Sequence, residues 1–188
     1  MAVQQNVART EPVIFHVLLL VSCLFDLLTT QYLLEHQLAV EANPLALVRF
    51  GEMAMTSIAI YAVCSVVFYV SRRAVRQLDE LAAESRTLRG LMRAINRRPV
   101  VGAAVGLVPL PLVVLIAKLL AGSDNLLLIA LDKSVASALR QQFVDLTTAE
   151  FFALYMAVEG TILYALICIW LFRRWQRTGS FVDVRASA

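Results

Sequence analysis

Three ionisable residues stand inside otherwise apolar runs of this chain: Asp26, Lys118 and Glu159. A charge at the centre of a bilayer costs about 2.5–3.5 kcal/mol even on the mildest insertion scale, so each needs a partner or a use. Three kinds of chemistry are open to them. Lys118 can neutralise Asp26 or Glu159, with threonines hydrogen-bonding the remainder; the three can line a polar chamber for a proton, an ion or a small solute; or Asp26 and Glu159 can act as a carboxyl pair in an intramembrane enzyme.

Spacing adds neighbours to this set. Positions three and four apart share a helix face, so Ser22, Asp26, Thr29 and Thr30 form one polar stripe. Continued outward, the stripe leads to Gln37 and Glu41 and to the segment holding Asn43. The candidate polar cluster is therefore Asp26, Thr30, Glu41, Asn43, Lys118 and Glu159. At 1.5 Å rise per residue, Asp26, Lys118 and Glu159 fall within roughly 7 Å of one another along the membrane normal, in its outer half. His16, near the other end of the same helix, reads as an interfacial histidine.

Enzyme signatures give no support to catalysis: HExxH, GxSxG, a Walker loop and a dinucleotide fingerprint are all missing from the sequence. The three cysteines, Cys23, Cys64 and Cys168, lie in apolar stretches without CxxC or zinc spacing and read as small buried side chains. No catalytic, cofactor-binding or metal-ligating set is assigned, and the question of enzyme activity leans to no.

The elements that must position these residues are long helices. Of 188 residues, 60% are hydrophobic and 16% charged, with a mean hydropathy of +0.72. Soluble domains are about half apolar and a quarter charged, so the composition points to a membrane protein. A span needs about 20 apolar residues. Four runs qualify: 13–34, 50–71, 100–121 and 151–172. Glu11-Pro12 marks the start of the first, which has no cleavage site behind it and is read as retained. Asn43-Pro44 is a cap-and-proline start signal for the second. The fourth closes on Arg173-Arg174-Trp175, where the tryptophan reads as an interfacial anchor.

The third run carries two further devices. Gly102 and Gly106 form a GxxxG pair, a helix-packing face that allows close approach in lipid. Pro109 and Pro111 remove helix hydrogen bonds and should kink or break the segment. Gly122-Ser-Asp-Asn125 is expected to end it, leaving 123–148, with Asp132, Lys133, Arg140 and Asp145, as an amphipathic segment at the far surface.

Arginines are concentrated in two places: Arg72, Arg73, Arg76, Arg86, Arg89, Arg93, Arg97 and Arg98, and then Arg173, Arg174 and Arg177. Basic loops stay in the cytoplasm, so both chain ends are predicted inside. The stretch 72–99 reads as a basic amphipathic hairpin, with Val75, Leu78, Ala82, Leu88, Met92 and Ile95 on its apolar face. It suits anionic lipid or, through 72–98, a protein partner. The net charge of +3 comes without a nucleic-acid reading motif, and no nucleic acid is expected.

Two patterns look beyond single helices. Leu28-Thr29-Thr30 precedes Ala39-Val40-Glu41 at the same spacing as Leu146-Thr147-Thr148 precedes Ala157-Val158-Glu159, a faint echo of the internal repeats found in transporters. Asp26-Leu-Leu-Thr-Thr30, followed by Glu41-Ala-Asn43-Pro44-Leu45, resembles an uncharacterised family of small bacterial membrane proteins with a D-x-x-x-T helix, an E-x-N-P turn and a lysine in a later helix, which Lys118 could match. The resemblance covers about a third of the chain and implies no activity.

The expected fold is thus all-α: one polytopic integral membrane domain of the cell (inner) membrane over 1–188, with four transmembrane helices, N-in and C-in. The functional expectation is a transporter-like or solute/ion-binding protein with an outer-leaflet charged cluster. The alternatives are an accessory or assembly subunit, open to homo-oligomerisation, and an intramembrane enzyme.

Overall fold

The computed structural model describes residues 2–36, 50–82, 87–143 and 145–178. Seven helices occur there: α1 (Ala2–Glu35), α2 (Phe50–Ala82), α3 (Leu88–Arg97), α4 (Pro99–Gly106), α5 (Pro109–Leu131), α6 (Val135–Arg140) and α7 (Thr148–Thr178). Four stretches are long and apolar enough to cross a membrane: Pro12–Glu35, Gly51–Gln77, Pro99–Leu131 and Thr148–Arg177.

Several helix boundaries differ from the sequence expectation. Pro12 lies inside α1 rather than at its start; proline removes one backbone donor, and the helix continues on both sides. The helix expected to end at Gly122 runs on to Leu131, because its polar residues are satisfied sideways, as shown below. The described residues among 123–148 are therefore the end of α5, the short α6 and the lead into α7. On α3 the buried residues are Leu91 and Ala94, while Leu88 and Met92 are exposed. Ile95 faces Gly102 of α4, and that contact turns 91, 94 and 95 inward together.

The helices contribute to two compact units. The first takes Met1–His16, Val63–Val113 and Tyr164–Ala188. Within it Phe15 stacks on Phe68 with ring centroids 4.2 Å apart. His16 Nε2 lies 3.2 Å from the Tyr69 hydroxyl and its Nδ1 lies 3.4 Å from the Ser65 hydroxyl, so this histidine joins α1 to α2. Ile167, Leu171 and Trp175 make a buried stripe at four-residue spacing. Trp175 is only 1% exposed and is thus a core residue, not the interfacial anchor its arginine neighbours suggest. Trp170 takes the exposed position at 52%, with the Arg174 guanidinium 5.6 Å from its ring centroid.

The proline break also lies in this unit. Pro109 and Pro111 cannot donate to Val105 and Leu107. The chain tightens instead, with Val108 N–H bonding Val105 C=O at 3.0 Å and Leu110 N–H bonding Leu107 C=O at 3.1 Å. Leu110 is thereby diverted from Gly106, whose carbonyl accepts from the Tyr164 hydroxyl at 2.8 Å. α5 then starts with Pro109 in its first turn, where a missing donor costs little.

The second unit takes Val17–Ala62 and Val114–Leu163. Its buried residues include Leu19, Ser22, Cys23, Leu27, Thr29, Leu33, Leu115 and Phe151. The charged approach to α7 is held by local bonds. Arg140 donates to the carbonyls of Phe143 and Leu146, and Thr147 and Glu150 cap the α7 N-terminus reciprocally.

Candidate functional site

The second unit holds a ladder of contacts between α1 and α5. Lys118 Nζ donates to Asp26 Oδ2 at 2.5 Å, with the two side chains 23% and 13% exposed. One turn on, the Cβ that Gly122 lacks would stand 2.5 Å from the Phe25 ring. Only hydrogen leaves room for that ring. A further turn on, Asn125 Nδ2 donates to Thr30 Oγ1 at 2.9 Å and to Thr29 Oγ1 at 3.2 Å.

Helix periodicity explains the ladder. Lys118, Gly122 and Asn125 fall at i, i+4 and i+7, one face of α5, and Phe25, Asp26, Thr29 and Thr30 form the facing patch on α1. The ion pair joins Lys118 to Asp26 and, seven residues on, the amide joins Asn125 to Thr29 and Thr30, so the two segments run parallel. Each polar group has a match: Thr29 turns its own proton back to the carbonyls of Phe25 or Asp26 at 2.9 and 3.1 Å, and accepts from Asn125 with a lone pair. Ser22 bonds the Leu19 carbonyl at 2.9 Å. In an apolar setting, separating either member of the ion pair would strand a charge, which is far costlier than losing both.

Glu159 is different. Its Oε1 is buried and has no hydrogen-bond partner. Among the described residues the ion pair of Lys118 is with Asp26. The cluster read from the sequence therefore divides: Asp26, Thr30 and Lys118 come together, Glu159 stands without a bond on one oxygen, and Glu41 and Asn43 lie outside the described residues. Asp124, on α5 beside Asn125, accepts from the backbone N–H groups of Val135 at 2.6 Å and Ala136 at 3.3 Å. It anchors the start of α6 and is not a helix terminator.

Gly102 and Gly106 belong to the first unit and behave unlike each other. A Cβ at Gly102 would fall 2.5 Å from Ile95 Cγ2, whereas at Gly106 the nearest atom would be the Tyr164 hydroxyl at 4.0 Å. Gly102 makes a close approach within the α3–α4 turn; Gly106 serves through its carbonyl.

Sequence reading missed Asn125, Gly122 and Asp124 as contact residues. The signal was present in the i, i+4, i+7 spacing from Lys118, but the Gly-Ser-Asp-Asn string masks it by its resemblance to a helix stop. The threonine echo does not mark equivalent places: Thr29 and Thr30 lie mid-helix, while Thr147 caps α7. Among the described residues no three His, Cys, Asp or Glu side chains gather as a metal-binding group. Compared with protein families, with curated proteins and with solved structures, the chain matches none of them.

Proposed function

We propose that this chain is a multi-pass protein of the cell (inner) membrane, with both ends in the cytoplasm, and that it is transporter-like or binds a solute or ion. The observation that carries this reading is the unbonded, buried Oε1 of Glu159 in a helix long and apolar enough to cross a membrane. An orphaned acceptor in such a place costs on the order of 1–3 kcal/mol. A proton, a cation or a donor group on a solute would remove that cost. Asp26 needs no such ligand, since Lys118 already balances it. The division of labour is thus a closed pair that fixes α1 against α5 and an open carboxyl that exchanges its partner.

Reconstituted liposomes provide the test, with proton and monovalent-cation flux followed by entrapped dyes. Flux should be present with the native chain and lost with Glu159→Gln, a change that keeps size and fold. Equal flux from both proteins would refute the reading. The second reading, an accessory subunit, is favoured by one feature: Arg89, Arg93 and Arg97 are all exposed on α3, a basic row open to a protein partner or to anionic lipid.

A further inference from the structure

The first unit contains a recess of about 440 Å³ lined by Pro12, Tyr69, Arg72, Arg73 and Arg76. We propose that it is a binding site for the phosphate headgroup of an anionic phospholipid. Tyr69, Arg72, Arg73 and Arg76 occur at i, i+3, i+4 and i+7, so they form a single face over two turns of α2. Arg73 and Arg76 are exposed, and their planar guanidinium groups can each offer two parallel N–H donors to phosphate oxygens. Tyr69 is held in place through His16, whose Nε2 is 3.2 Å from its hydroxyl. Pro12 closes the recess from α1 and lacks a backbone donor of its own.

The surroundings favour a lipid over a free anion. The apolar stretches of α1 and α2 begin at Pro12 and end at Gln77, so the recess lies where apolar surface gives way to charge. Within one helical turn of its lining residues along α1 and α2, Val13, Ile14, Val66 and Val70 are all at least half exposed. A phosphate in the recess would have acyl chains laid along those side chains, and such contact is unavailable to inorganic phosphate. The volume falls within the roughly 300–1,000 Å³ of ordinary ligand sites. Arginines that merely set orientation need no recess and no tyrosine.

The proposal rests on the reading of these helices as membrane spans, but not on Glu159. It is tested with the purified full chain by native mass spectrometry and by lipid exchange in detergent, using phosphatidylglycerol against phosphatidylcholine. Phosphatidylglycerol should be retained preferentially. Arg73→Gln with Arg76→Gln should lower that retention by about thirtyfold, from two lost headgroup contacts. Arg173→Gln with Arg177→Gln removes the same charge from exposed positions on α7 and should change retention little. Glu159→Gln should leave it unchanged, which separates this site from the exchanging carboxyl. Unchanged melting of each variant establishes that folding is not the cause. Equal retention of the two lipids, equal loss from the two arginine pairs, or displacement by inorganic phosphate at concentrations matched to the lipid would each overturn the proposal.

Discussion

Lys118 and Asp26 lie 92 positions apart and meet at 2.5 Å on facing turns of α1 and α5. The contact does two things at once. It neutralises two charges that would each be costly among apolar side chains, and it sets the register of the ladder in which Gly122 takes the Phe25 ring and Asn125 bonds Thr29 and Thr30. A one-residue shift of either helix would put the charge, the gap and the amide on the wrong partners. Each rung can be removed separately.

Gly122→Ala is expected to be destabilising although alanine is the better helix former, because its Cβ would sit 2.5 Å from Phe25 Cδ1. Overpacking of this kind costs about 1–3 kcal/mol. Thermal unfolding in detergent should show the loss, and Phe25→Leu in the same chain should recover part of it. A more stable Gly122→Ala protein would mean that the ring does not occupy this gap.

Asn125→Leu deletes two interhelical bonds, to Thr29 Oγ1 and Thr30 Oγ1. Such bonds contribute about 0.6 kcal/mol on average in membrane proteins, with a maximum near 1.7. The expected outcome is a loss of about 1 kcal/mol, with Thr30→Val non-additive on the Asn125→Leu background. Full additivity would show that the two side chains do not meet.

Much of this arrangement was legible in the sequence. Apolar run length located all four candidate spans, and spacing on the first helix put Ser22, Asp26, Thr29 and Thr30 on a shared face. What the sequence hid was rotation and partner choice. Depth along the helix left Lys118 with two possible carboxylates, and only the facing direction of α5 selects Asp26. Gly122, Asp124 and Asn125 form a local stop signal, yet each is satisfied by a distant group, so α5 runs nine residues beyond Gly122, to Leu131. Trp175 was misplaced for a related reason: its arginine neighbours imply an interface, whereas its i−4 and i−8 neighbours, Leu171 and Ile167, share its buried face.

The two glycines of the GxxxG pair should respond differently. Gly102→Ala is expected to destabilise the α3–α4 turn, since β-branched Ile95 is stiff and stands 2.5 Å from the new methyl group. Gly106→Ala should be tolerated, with the nearest atom at 4.0 Å. Tyr164→Phe, by contrast, takes away the donor to the Gly106 carbonyl, an exposed bond, and should cost about 0.5–1.5 kcal/mol. The melting temperatures of the three variants in one detergent check the order; equal effects at Gly102 and Gly106 would restore a shared helix-packing face.

The proposed orientation, with both ends in the cytoplasm, rests on arginine asymmetry. Reporter fusions at Gln77 and Thr178 should both give a cytoplasmic signal, following the basic flanks of the second and fourth spans. An external signal from either would contradict the four-span arrangement with both ends inside.

A double-mutant cycle on Lys118 tests most directly the central claim that Asp26 is closed by Lys118 while Glu159 stands open. Lys118→Met alone should be destabilising, by less than the about 3–5 kcal/mol of a fully buried pair because the two side chains are 23% and 13% exposed, since Asp26 keeps most of its desolvation cost without its attraction. Adding Asp26→Asn should restore a large part of that loss. Adding Glu159→Gln instead should restore none, leaving an interaction energy near zero for that pair. The contradicting result is the reverse pattern, in which Glu159→Gln rescues Lys118→Met and Asp26→Asn does not.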